Sequence, residues 1–267
     1  MISSPSNEKV KHVAALNKKA SLREEEAVFV AEGVRLFEEI PLQDIKEAYF
    51  TEDGLKSLKE RGHSDPELLI RDGRADTVSL PVMEKMSDVV TPQGVLAVVK
   101  RRKHEWEELL PAGKPALLIL LEDIQDPGNL GTVLRTAEAA GASGVILGGC
   151  TADIYNPKVV RSTMGAIFRL PFMRLNDLGF CFSVLRQHGV KIHAAAMEGA
   201  EVFSSRDYTG GTAFIIGNEG KGLKEETIKG ADDSVFIPMA GKTESLNASV
   251  SAALLMYEAA RQRGYVK

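Results

Sequence analysis

The sequence predicts an α/β protein whose second part is a mostly parallel sheet with helices on both faces. The first observation is the run ALLILL at residues 116–121, whose continuous apolar character is typical of a strand buried on both faces of a parallel sheet. The second is the alternation of further short apolar runs with helical patterns, which indicates a layered α/β fold. These further strand candidates are Val145–Leu147, Ile192–Ala195, Ala213–Ile216 and Val235–Ile237. The length of 267 residues leaves room for a second, smaller domain.

The pattern of residues 1–104 predicts that this smaller domain is an α/β module. Apolar side chains at helical spacing predict a first helix over residues 6–19, with Ser6 or Asn7 as its cap. The pattern then predicts strands at 28–31, 48–51, 77–80 and 95–99, separated by helices at 34–40, at 55–61 and after Pro81. The charged, proline-containing stretch before residue 116 predicts a linker, which we place at 105–115. Residues 116–267 form the second predicted domain.

Composition excludes several classes of protein. Hydrophobic residues at 44% and charged residues at 26% are values of a globular protein rather than a disordered one. No apolar run has the length of a membrane span, and the N-terminus lacks the apolar core of a signal peptide. Cys150 and Cys181 are too few for a disulfide framework and have no metal-ligand spacing. We therefore expect a cytoplasmic protein without a metal site.

The net charge of −4 argues against a protein that is uniformly basic, but positive charge is clustered locally. Residues 1–23 contain a single acid, Glu8, and five basic residues: Lys9, Lys11, Lys18, Lys19 and Arg23. Further clusters are residues 100–103 and the set Lys158, Arg161, Arg169 and Arg174. Each cluster is either an ordinary solvated face or a contact for nucleic-acid phosphates, and the sequence leaves both interpretations open.

The first candidate site segment is QDPGNLGTVLR at residues 125–135, directly after a buried strand. The turn formers at 126–129 end in Asn129, which is predicted to cap a helix beginning near Leu130. The predicted buried face of this helix is Leu130, Leu134, Ala137 and Gly141. Arg135 lies at the flank of that face, about 100° from its nearest member. Arg135 is either a surface residue paired with Glu138 or a functional group at the carboxyl end of a strand, where α/β sheets bind ligands.

The second candidate segment is GNEGKG at residues 217–222. Three glycines in this short stretch permit positive φ angles and close approach of the backbone to a ligand, although a plain turn is the alternative. A Walker phosphate loop is excluded, because Phe236 stands where the glycine before Gly241-Lys242-Thr243 is needed and Leu223 follows Gly222. A dinucleotide-binding fingerprint between strand and helix is also absent.

The third candidate segment runs from Ile237-Pro238-Met239 to SLNAS at residues 245–249. Ser245 is predicted to cap the helix that follows. The predicted buried stripe of that helix is Val250, Leu254 and Tyr257. Asn247 is a poor helix former in a first turn, and its presence favours a functional role.

Together and in this order, the three segments resemble the signatures of the SpoU family of RNA 2′-O-methyltransferases, which belongs to the knotted SPOUT superfamily. The resemblance implies a C-terminal trefoil knot, S-adenosylmethionine as the cofactor, and a homodimer in which the partner subunit completes the site. It also implies a catalytic Arg135 oriented by Asn129, with Glu219, Ser245 and Asn247 in the same active site. Cofactor contacts, largely through the main chain, are expected at Gly217, Ile237 and Leu246.

Two other segments resemble parts of the same family. EGVRLFEE (32–39) and TPQGVLAVVK (91–100) are similar to the substrate-binding domain of SpoU rRNA methyltransferases, which implies RNA contact at Arg35. Residues 155–166 resemble the family's Ser-x-Gly-Ala element, where Arg161 either contacts RNA or lies beside a helix-packing surface. The separate N-terminal module favours rRNA over tRNA as substrate. A tRNA methyltransferase and a non-catalytic RNA-binding assembly factor remain the alternatives.

The role of an arginine in this reaction is limited by its chemistry. A guanidinium is effectively always protonated, so Arg135 is a poor general base by itself. It can instead stabilise the alkoxide that develops on the ribose 2′-oxygen, with an RNA phosphate sharing the proton. The sequence does not decide between a base and an alkoxide stabiliser.

Overall fold

The computed structural model describes residues 1–197 and 200–265 and divides the chain into two compact units. The first, which we call unit 1, contains Met1–Arg102 together with Asp153–Phe168. The second, unit 2, contains Lys103–Ala152 and Arg169–Lys267. The predicted domains follow the order of the chain, whereas unit 1 takes a segment from the middle of the predicted second domain.

Unit 1 is built on a four-stranded sheet in the order β1-β4-β2-β3. Strand β4 pairs antiparallel with both β1 and β2, and β3 pairs parallel with β2. Its helices and strands along the chain are α1 (Glu8–Lys18), α2 (Ala20–Glu25), β1 (Val28–Glu32), α3 (Val34–Glu38), β2 (Ile45–Phe50), α4 (Glu52–Glu60), α5 (Asp65–Arg71), β3 (Ala75–Thr77), α6 (Leu80–Met86), β4 (Val95–Lys100) and, after the excursion into unit 2, α9 (Pro157–Ser162).

Most of the predicted elements of unit 1 are present. Asn7 caps α1 by accepting a hydrogen bond from the Lys9 amide at 2.9 Å, as predicted. The strand predicted at 77–80 is wrong: β3 ends at Thr77 and Leu80 already begins α6, because Pro81 suits a first helical turn and cannot donate to a sheet. Helices α2 and α5 have only six and seven residues and were not predicted.

The segment Asp153–Phe168 is held in unit 1 by apolar packing and by a buried arginine. Phe29 of β1 packs against Tyr155 and Phe168, with ring centroids 4.9 and 6.0 Å apart. Arg23 is 4% exposed and donates to the Leu16 carbonyl at 2.6 Å and to the Asp153 carboxylate at 2.5 Å. Arg23 is therefore a structural residue, and the prediction that it contacts RNA is wrong.

Unit 2 contains a seven-stranded sheet in the order β7-β6-β5-β10-β8-β11-β9, and every strand pair in it is parallel. This confirms the predicted fold class. The elements are α7 (Trp106–Leu109), β5 (Leu117–Glu122), α8 (Pro127–Ala139), β6 (Gly144–Gly148), β7 (Phe172–Leu175), α10 (Gly179–Gln187), β8 (Val190–Ala195), β9 (Glu201–Val202), β10 (Gly211–Ile216), α11 (Glu225–Gly230), β11 (Asp233–Phe236) and α12 (Ala248–Gln262). Strands β7 and β9 were not predicted.

The two faces of this sheet are covered by different helices. Leu118 and Leu120 of β5 face the layer formed by α7 and α10, where Leu109, Phe182 and Leu185 are buried. On the other side, α8 and α12 pack against each other and α12 contacts β5 and β10. Strands β5 and β10 are thus buried on both faces, as their continuous apolar sequences predict.

Three details of α8 and α12 correct the sequence-based predictions. Asp126, not Asn129, caps α8, because the helix already begins at Pro127. Asn247, not Ser245, caps α12, and its Oδ1 accepts from the Ser249 amide at 2.9 Å. Gly141 is exposed beyond the end of α8, with a φ of 75° that ends the helix.

The stripe predicted to be buried on α12 is on its exposed side. Val250, Leu254 and Tyr257 are 46%, 39% and 41% exposed. The residues that pack against the sheet and α8 are instead Ala252, Leu255, Met256, Ala259 and Ala260. An exposed apolar stripe of this kind is a candidate surface for an interface with another molecule.

A buried histidine joins two neighbouring strands of unit 2. His193 on β8 is 1% exposed, and its Nδ1 lies 2.5 Å from the carboxylate of Asp233 on β11. Burial is the largest effect on its pKa and lowers it, although Asp233 opposes the shift. Lys191 and Arg206 also approach the Asp233 carboxylate.

We expect this histidine to make the protein less stable in mild acid. Because the folded pKa is below the ordinary value of 6.5, the unfolded chain takes up the proton first, and stability is lost as pH falls below that value. His193→Gln keeps a donor for Asp233 but does not titrate, so its melting temperature should fall less over the same pH range. Equal pH dependence of melting in the two proteins would contradict this prediction.

Candidate active site

The three candidate segments meet at the carboxyl edge of the unit 2 sheet. Residues 123–129 follow β5, residues 217–224 follow its neighbour β10, and residues 237–247 follow β11. Because all three strands are parallel, their carboxyl ends lie on the same edge. This edge is the usual position of a ligand site in an open α/β sheet.

Glu219 links the first two segments. Its carboxylate accepts hydrogen bonds from the Asn129 side-chain amide at 2.9 Å and from the main-chain amides of Asp126 and Gln125 at 3.3 and 3.4 Å. Partial burial acts to raise the Glu219 pKa, but these donors outweigh it and the pKa is lowered. Glu219 is therefore an ionised carboxylate with its acceptors in use, which fits positioning better than proton transfer.

Asn247 brings the third segment into the same network. Its Nδ2 donates to Asn129 Oδ1 at 2.9 Å, while its own Oδ1 caps α12. The Asn129 amide consequently donates to Glu219 and accepts from Asn247, which fixes its orientation from both sides. Three of the five predicted catalytic residues thus form one hydrogen-bonded chain.

Arg135 lies outside this chain, further along α8, and is exposed. The alternative interpretation paired it with Glu138, but the Glu138 carboxylate accepts from Arg169 at 2.9 Å. Within residues 1–197 and 200–265, the Arg135 side chain has no hydrogen-bond or ion-pair partner. Its guanidinium is free to meet an acceptor that is not part of this chain.

An apolar cavity of about 130 Å³ lies at the carboxyl ends of β8 and β11. Two of the predicted cofactor residues, Ile237 and Leu246, line it, and so does Ser245. Ser245 therefore faces this cavity instead of capping α12. Met239 and Leu255 complete much of its apolar wall.

Gly217 is required by the packing of its own loop, whatever contact its main chain makes with a cofactor. A Cβ at this position would lie 2.4 Å from the Gly222 carbonyl carbon and 2.5 Å from the Leu223 nitrogen. The loop folds back on itself here through reciprocal main-chain hydrogen bonds between Asn218 and Gly222, at 2.9 and 3.1 Å. The close approach is thus between two parts of the loop, and it sets the loop's shape.

The residues that anchor this loop to β5 were not predicted from the sequence. Glu122 is 4% exposed and accepts from the Lys224 main-chain amide at 2.8 Å and from the Thr227 hydroxyl at 2.6 Å. The main-chain carbonyl of the neighbouring Asp123 accepts a hydrogen bond from the Asn218 side-chain amide at 2.8 Å, and Asp123 has a φ of 56°. The sequence does contain a signal for this anchor, because two acidic residues directly follow the continuous apolar run. A buried charge needs specific partners, so an acid in that position indicates a buried hydrogen-bond site.

The predicted RNA-binding residues of unit 1 differ in their environments. Lys11, Lys18 and Lys19 are exposed, whereas Lys9 is paired with Asp76 at 2.8 Å, which raises its pKa. Arg35 is exposed and Arg161 contacts Asp88 at 3.1 Å. In the cluster at 100–103, Arg101 lies over the Tyr155 ring and Arg102 pairs with Asp44, so both have structural roles.

Two other kinds of site are absent from the part of the chain that the structure describes. Over residues 1–197 and 200–265, no three His, Cys, Asp or Glu side chains converge as a metal site. Over the same residues, no helix is both long enough and apolar enough to span a membrane.

Comparisons with known proteins agree with this geometry. The SpoU rRNA methylase family model matches residues 116–257, and a model of the MRM3-like substrate-binding domain matches residues 7–97. The chain is 35% identical to the 23S rRNA (guanosine(2553)-2′-O)-methyltransferase RlmP of Bacillus subtilis, covering 96% of this chain and 97% of that protein.

Solved structures give the same result. The AdoMet-bound rRNA methyltransferase from Sinorhizobium meliloti superposes with a TM-score of 0.85 at 30% identity, covering 97% of each chain. The SpoU methyltransferase AviRb from Streptomyces viridochromogenes, in complex with AdoMet, superposes with a TM-score of 0.82 at 27% identity, covering 98% of this chain and 100% of that one.

The tight packing at Gly217 generates a testable prediction. Gly217→Ala should force the loop open, at about 1–3 kcal/mol of strain, and weaken cofactor binding by roughly 5- to 150-fold if the loop bears that strain. Gly220→Ala in the same loop is the matched control, because its Cβ would meet only a side-chain oxygen 3.7 Å away. Calorimetric titration with S-adenosylmethionine measures both. Equal affinities would show that the loop shape does not matter for binding.

Proposed function

The chain belongs to the SpoU rRNA methylase family and is an S-adenosylmethionine-dependent RNA 2′-O-methyltransferase, and we propose that its substrate is large-subunit (23S-type) ribosomal RNA. The observation that carries the location of the active site is the hydrogen-bonded chain Glu219–Asn129–Asn247, which joins the three signature segments at one sheet edge. The relatives named as 23S rRNA enzymes favour this substrate over tRNA.

The residues at this edge fit S-adenosylmethionine. The cavity lined by Ile237 and Leu246 is apolar and suits a flat ring or an aliphatic chain. The Gly217–Gly222 loop follows β10, which pairs with β8, and it therefore presents main chain beside this part of the edge. The bound cofactor supplies an electrophilic methyl group on a sulfonium sulfur. Gly217 shapes its loop, and Ile237 and Leu246 provide the apolar contact.

We assign alkoxide stabilisation and the positioning of the site to polar residues near the same edge. The proton of the ribose 2′-hydroxyl passes to an RNA phosphate, and Arg135 stabilises the alkoxide that develops on the 2′-oxygen, because a free guanidinium can donate to it without first losing another partner. Asn129 is oriented by Glu219 and Asn247, and these three position the first loop and the start of α8. Ser245 lies at the cavity and contacts bound cofactor or substrate.

The assembly that we propose is a homodimer. The exposed stripe Val250, Leu254 and Tyr257 on α12 supplies an apolar surface of the kind found at the centre of subunit interfaces. A second subunit on this surface would approach α8, which packs beside α12 and carries Arg135.

We further propose a trefoil knot in unit 2 and a cytoplasmic location. The free thiols of Cys150 and Cys181 fit a reducing compartment.

Methyl transfer to defined RNAs tests the function. Purified protein and labelled S-adenosylmethionine are incubated with 23S rRNA, 16S rRNA or tRNA, and ribose methylation is then mapped. Incorporation into a 2′-oxygen of 23S rRNA is expected. Incorporation into tRNA alone would overturn the proposed substrate, and cofactor binding without transfer to any RNA would favour a non-catalytic assembly factor.

Arg135→Ala should separate chemistry from binding. Removal of one preorganised donor to a developing oxyanion typically costs about 10²–10³ in rate. Because Arg135 does not line the apolar cavity, calorimetric affinity for S-adenosylmethionine should stay unchanged. Arg135→Lys keeps the charge but not the forked donor and should have intermediate activity. An alanine variant that retains half of the wild-type rate would remove Arg135 from the reaction.

The basic face of α1 should contribute to RNA affinity through phosphates. Lys11→Glu combined with Lys18→Glu should weaken binding of 23S rRNA. The slope of log K against log salt is negative, and its magnitude should fall by about one for each phosphate that is no longer neutralised. Lys59→Glu is the control, since Lys59 is an exposed lysine of unit 1 on α4 that lies 3.9 Å from the Glu67 carboxylate. The full chain is used throughout, because unit 1 includes residues 153–168. Identical salt slopes for all three proteins would exclude α1.

A further inference from the structure

Unit 2 has another pocket at the carboxyl edge of its sheet, separate from the apolar cavity proposed for the cofactor. Its volume is about 360 Å³, and the loops that follow β5, β6 and β10 form it. Its lining includes Asp123, Gln125, Cys150, Lys221, Leu223 and Lys224. Ligand sites usually have volumes of about 300–1,000 Å³, so this pocket has room for one nucleotide.

The pocket shares two loops with the proposed active site. Gln125 lines the pocket, and its main-chain amide donates to the Glu219 carboxylate at 3.4 Å. Lys221 of the pocket follows Glu219 in the loop after β10. The apolar cavity lies at β8 and β11, which are on the other side of β10 in the sheet. A ligand in the pocket would therefore lie beside the catalytic network and outside the cofactor cavity.

Positive charge in the pocket is only partly neutralised by the protein. Partial burial acts to raise the Asp123 pKa, but the Cys150 amide at 2.6 Å and the Lys224 ammonium at 3.2 Å outweigh it, and the pKa is lowered. Lys224 is thus paired with an ionised carboxylate. The Lys221 ammonium, in contrast, has no hydrogen-bond or ion-pair partner within residues 1–197 and 200–265. Lys221 is therefore available to an anionic ligand.

Lys221 lies on a loop whose shape is fixed without the lysine side chain. The Asn218 Oδ1 accepts hydrogen bonds from the main-chain amides of Gly220 and Lys221, at 3.0 Å each. Asn218 and Gly222 also exchange main-chain hydrogen bonds at 2.9 and 3.1 Å. The lysine side chain can consequently be removed while all of these contacts remain.

Gln125 gives the pocket a group that can recognise a base. The residue is exposed, and its side-chain amide forms no hydrogen bond within the part of the chain that the structure describes. A free amide offers a donor and an acceptor together, which is the combination that hydrogen-bonds the edge of an unstacked base. Leu223 is partly buried and adds apolar surface to the same pocket.

We propose that this pocket receives one nucleotide of the RNA strand beside the methylated ribose, with Lys221 on its phosphate and Gln125 on the edge of its base. The proposal rests on the proposed function, which supplies the RNA and the methylated ribose. A phosphate accounts for the unpaired lysine, and a base accounts for the free amide beside apolar surface. Unit 2 then takes part in the choice of nucleotide sequence as well as in methyl transfer.

Lys221→Ala in the full-length protein tests the phosphate contact, with transcribed, unmethylated 23S rRNA as the substrate. The KM for this RNA should rise roughly tenfold, because a charge-assisted hydrogen bond is lost. The kcat, the melting temperature and the calorimetric affinity for S-adenosylmethionine should stay unchanged. The slope of log K for RNA binding against log salt should lose about 0.7 in magnitude, the contribution of one phosphate in a single strand.

Two further variants control for the change at Lys221. Lys221→Arg keeps the charge and should retain most of the RNA affinity. Lys229→Ala removes an exposed lysine of the neighbouring helix α11 that does not line the pocket, and it should behave as the wild type.

Gln125→Ala tests the base contact. The methylated position is first mapped with the wild type, and rRNA fragments are then made with each of the four bases at the nucleotides on either side of it. The wild type should favour one base at one of these positions by about tenfold in kcat/KM, the effect of a well-placed pair of hydrogen bonds. Gln125→Ala should remove that preference and leave the melting temperature unchanged. A purely structural role would lower activity equally for all four bases.

A wild-type KM in Lys221→Ala, or an equal rise in Lys229→Ala, overturns the phosphate contact. An unchanged base preference in Gln125→Ala overturns the base contact. Loss of S-adenosylmethionine affinity in Lys221→Ala assigns the lysine to the cofactor and also overturns the proposal.

Failure of the proposed function gives a different result. If the wild type methylates tRNA instead of 23S rRNA, the proposed substrate is wrong, and the same comparisons on that tRNA decide the pocket. If the wild type methylates no RNA, binding of 23S rRNA decides the phosphate contact: a loss of affinity in Lys221→Ala alone supports it, and equal affinities overturn it.

Discussion

The site depends on one carboxylate, that of Glu219, because it ties the loop after β10 to the start of α8. It accepts hydrogen bonds from the main-chain amides of Asp126 and Gln125 and from the Asn129 side chain, which are 93, 94 and 90 residues away in sequence. Without this acceptor, those donors would lose their partners at the edge of the sheet, which is costly wherever water cannot replace them. Asn247 then extends the same connection to α12, so three loops keep one arrangement.

Below this network, the end of β5 fixes the loop that carries Glu219. Glu122 and Asp123 hold that loop near its end and its beginning, through Lys224 and Asn218. Since β5 and β10 are neighbours in the centre of the sheet, these anchors stand on strands that are buried on both faces. Catalytic groups that must keep sub-ångström geometry benefit from such support, whereas Arg135, on α8, is exposed.

Unit 1 is built from two stretches of the chain that are not consecutive. Arg23 and Phe29 hold the segment Asp153–Phe168, which begins shortly after β6, within the unit proposed to bind RNA. Sequence order therefore does not separate substrate recognition from methyl transfer, even though family models match two consecutive stretches.

The sequence by itself determined the buried strands, the turns and the identity of the three site segments. Apolar runs such as residues 116–121 encode burial directly, and the resemblance of the three segments to a known family identified the chemistry. Local patterns failed where a choice was degenerate: α12 is apolar on most sides, so only packing against α8 and the sheet selected Leu255 over Leu254. The tertiary structure alone paired Glu219 with Asn129 and buried Arg23 on Asp153, because contacts between residues 90 or 130 positions apart leave no trace in local periodicity.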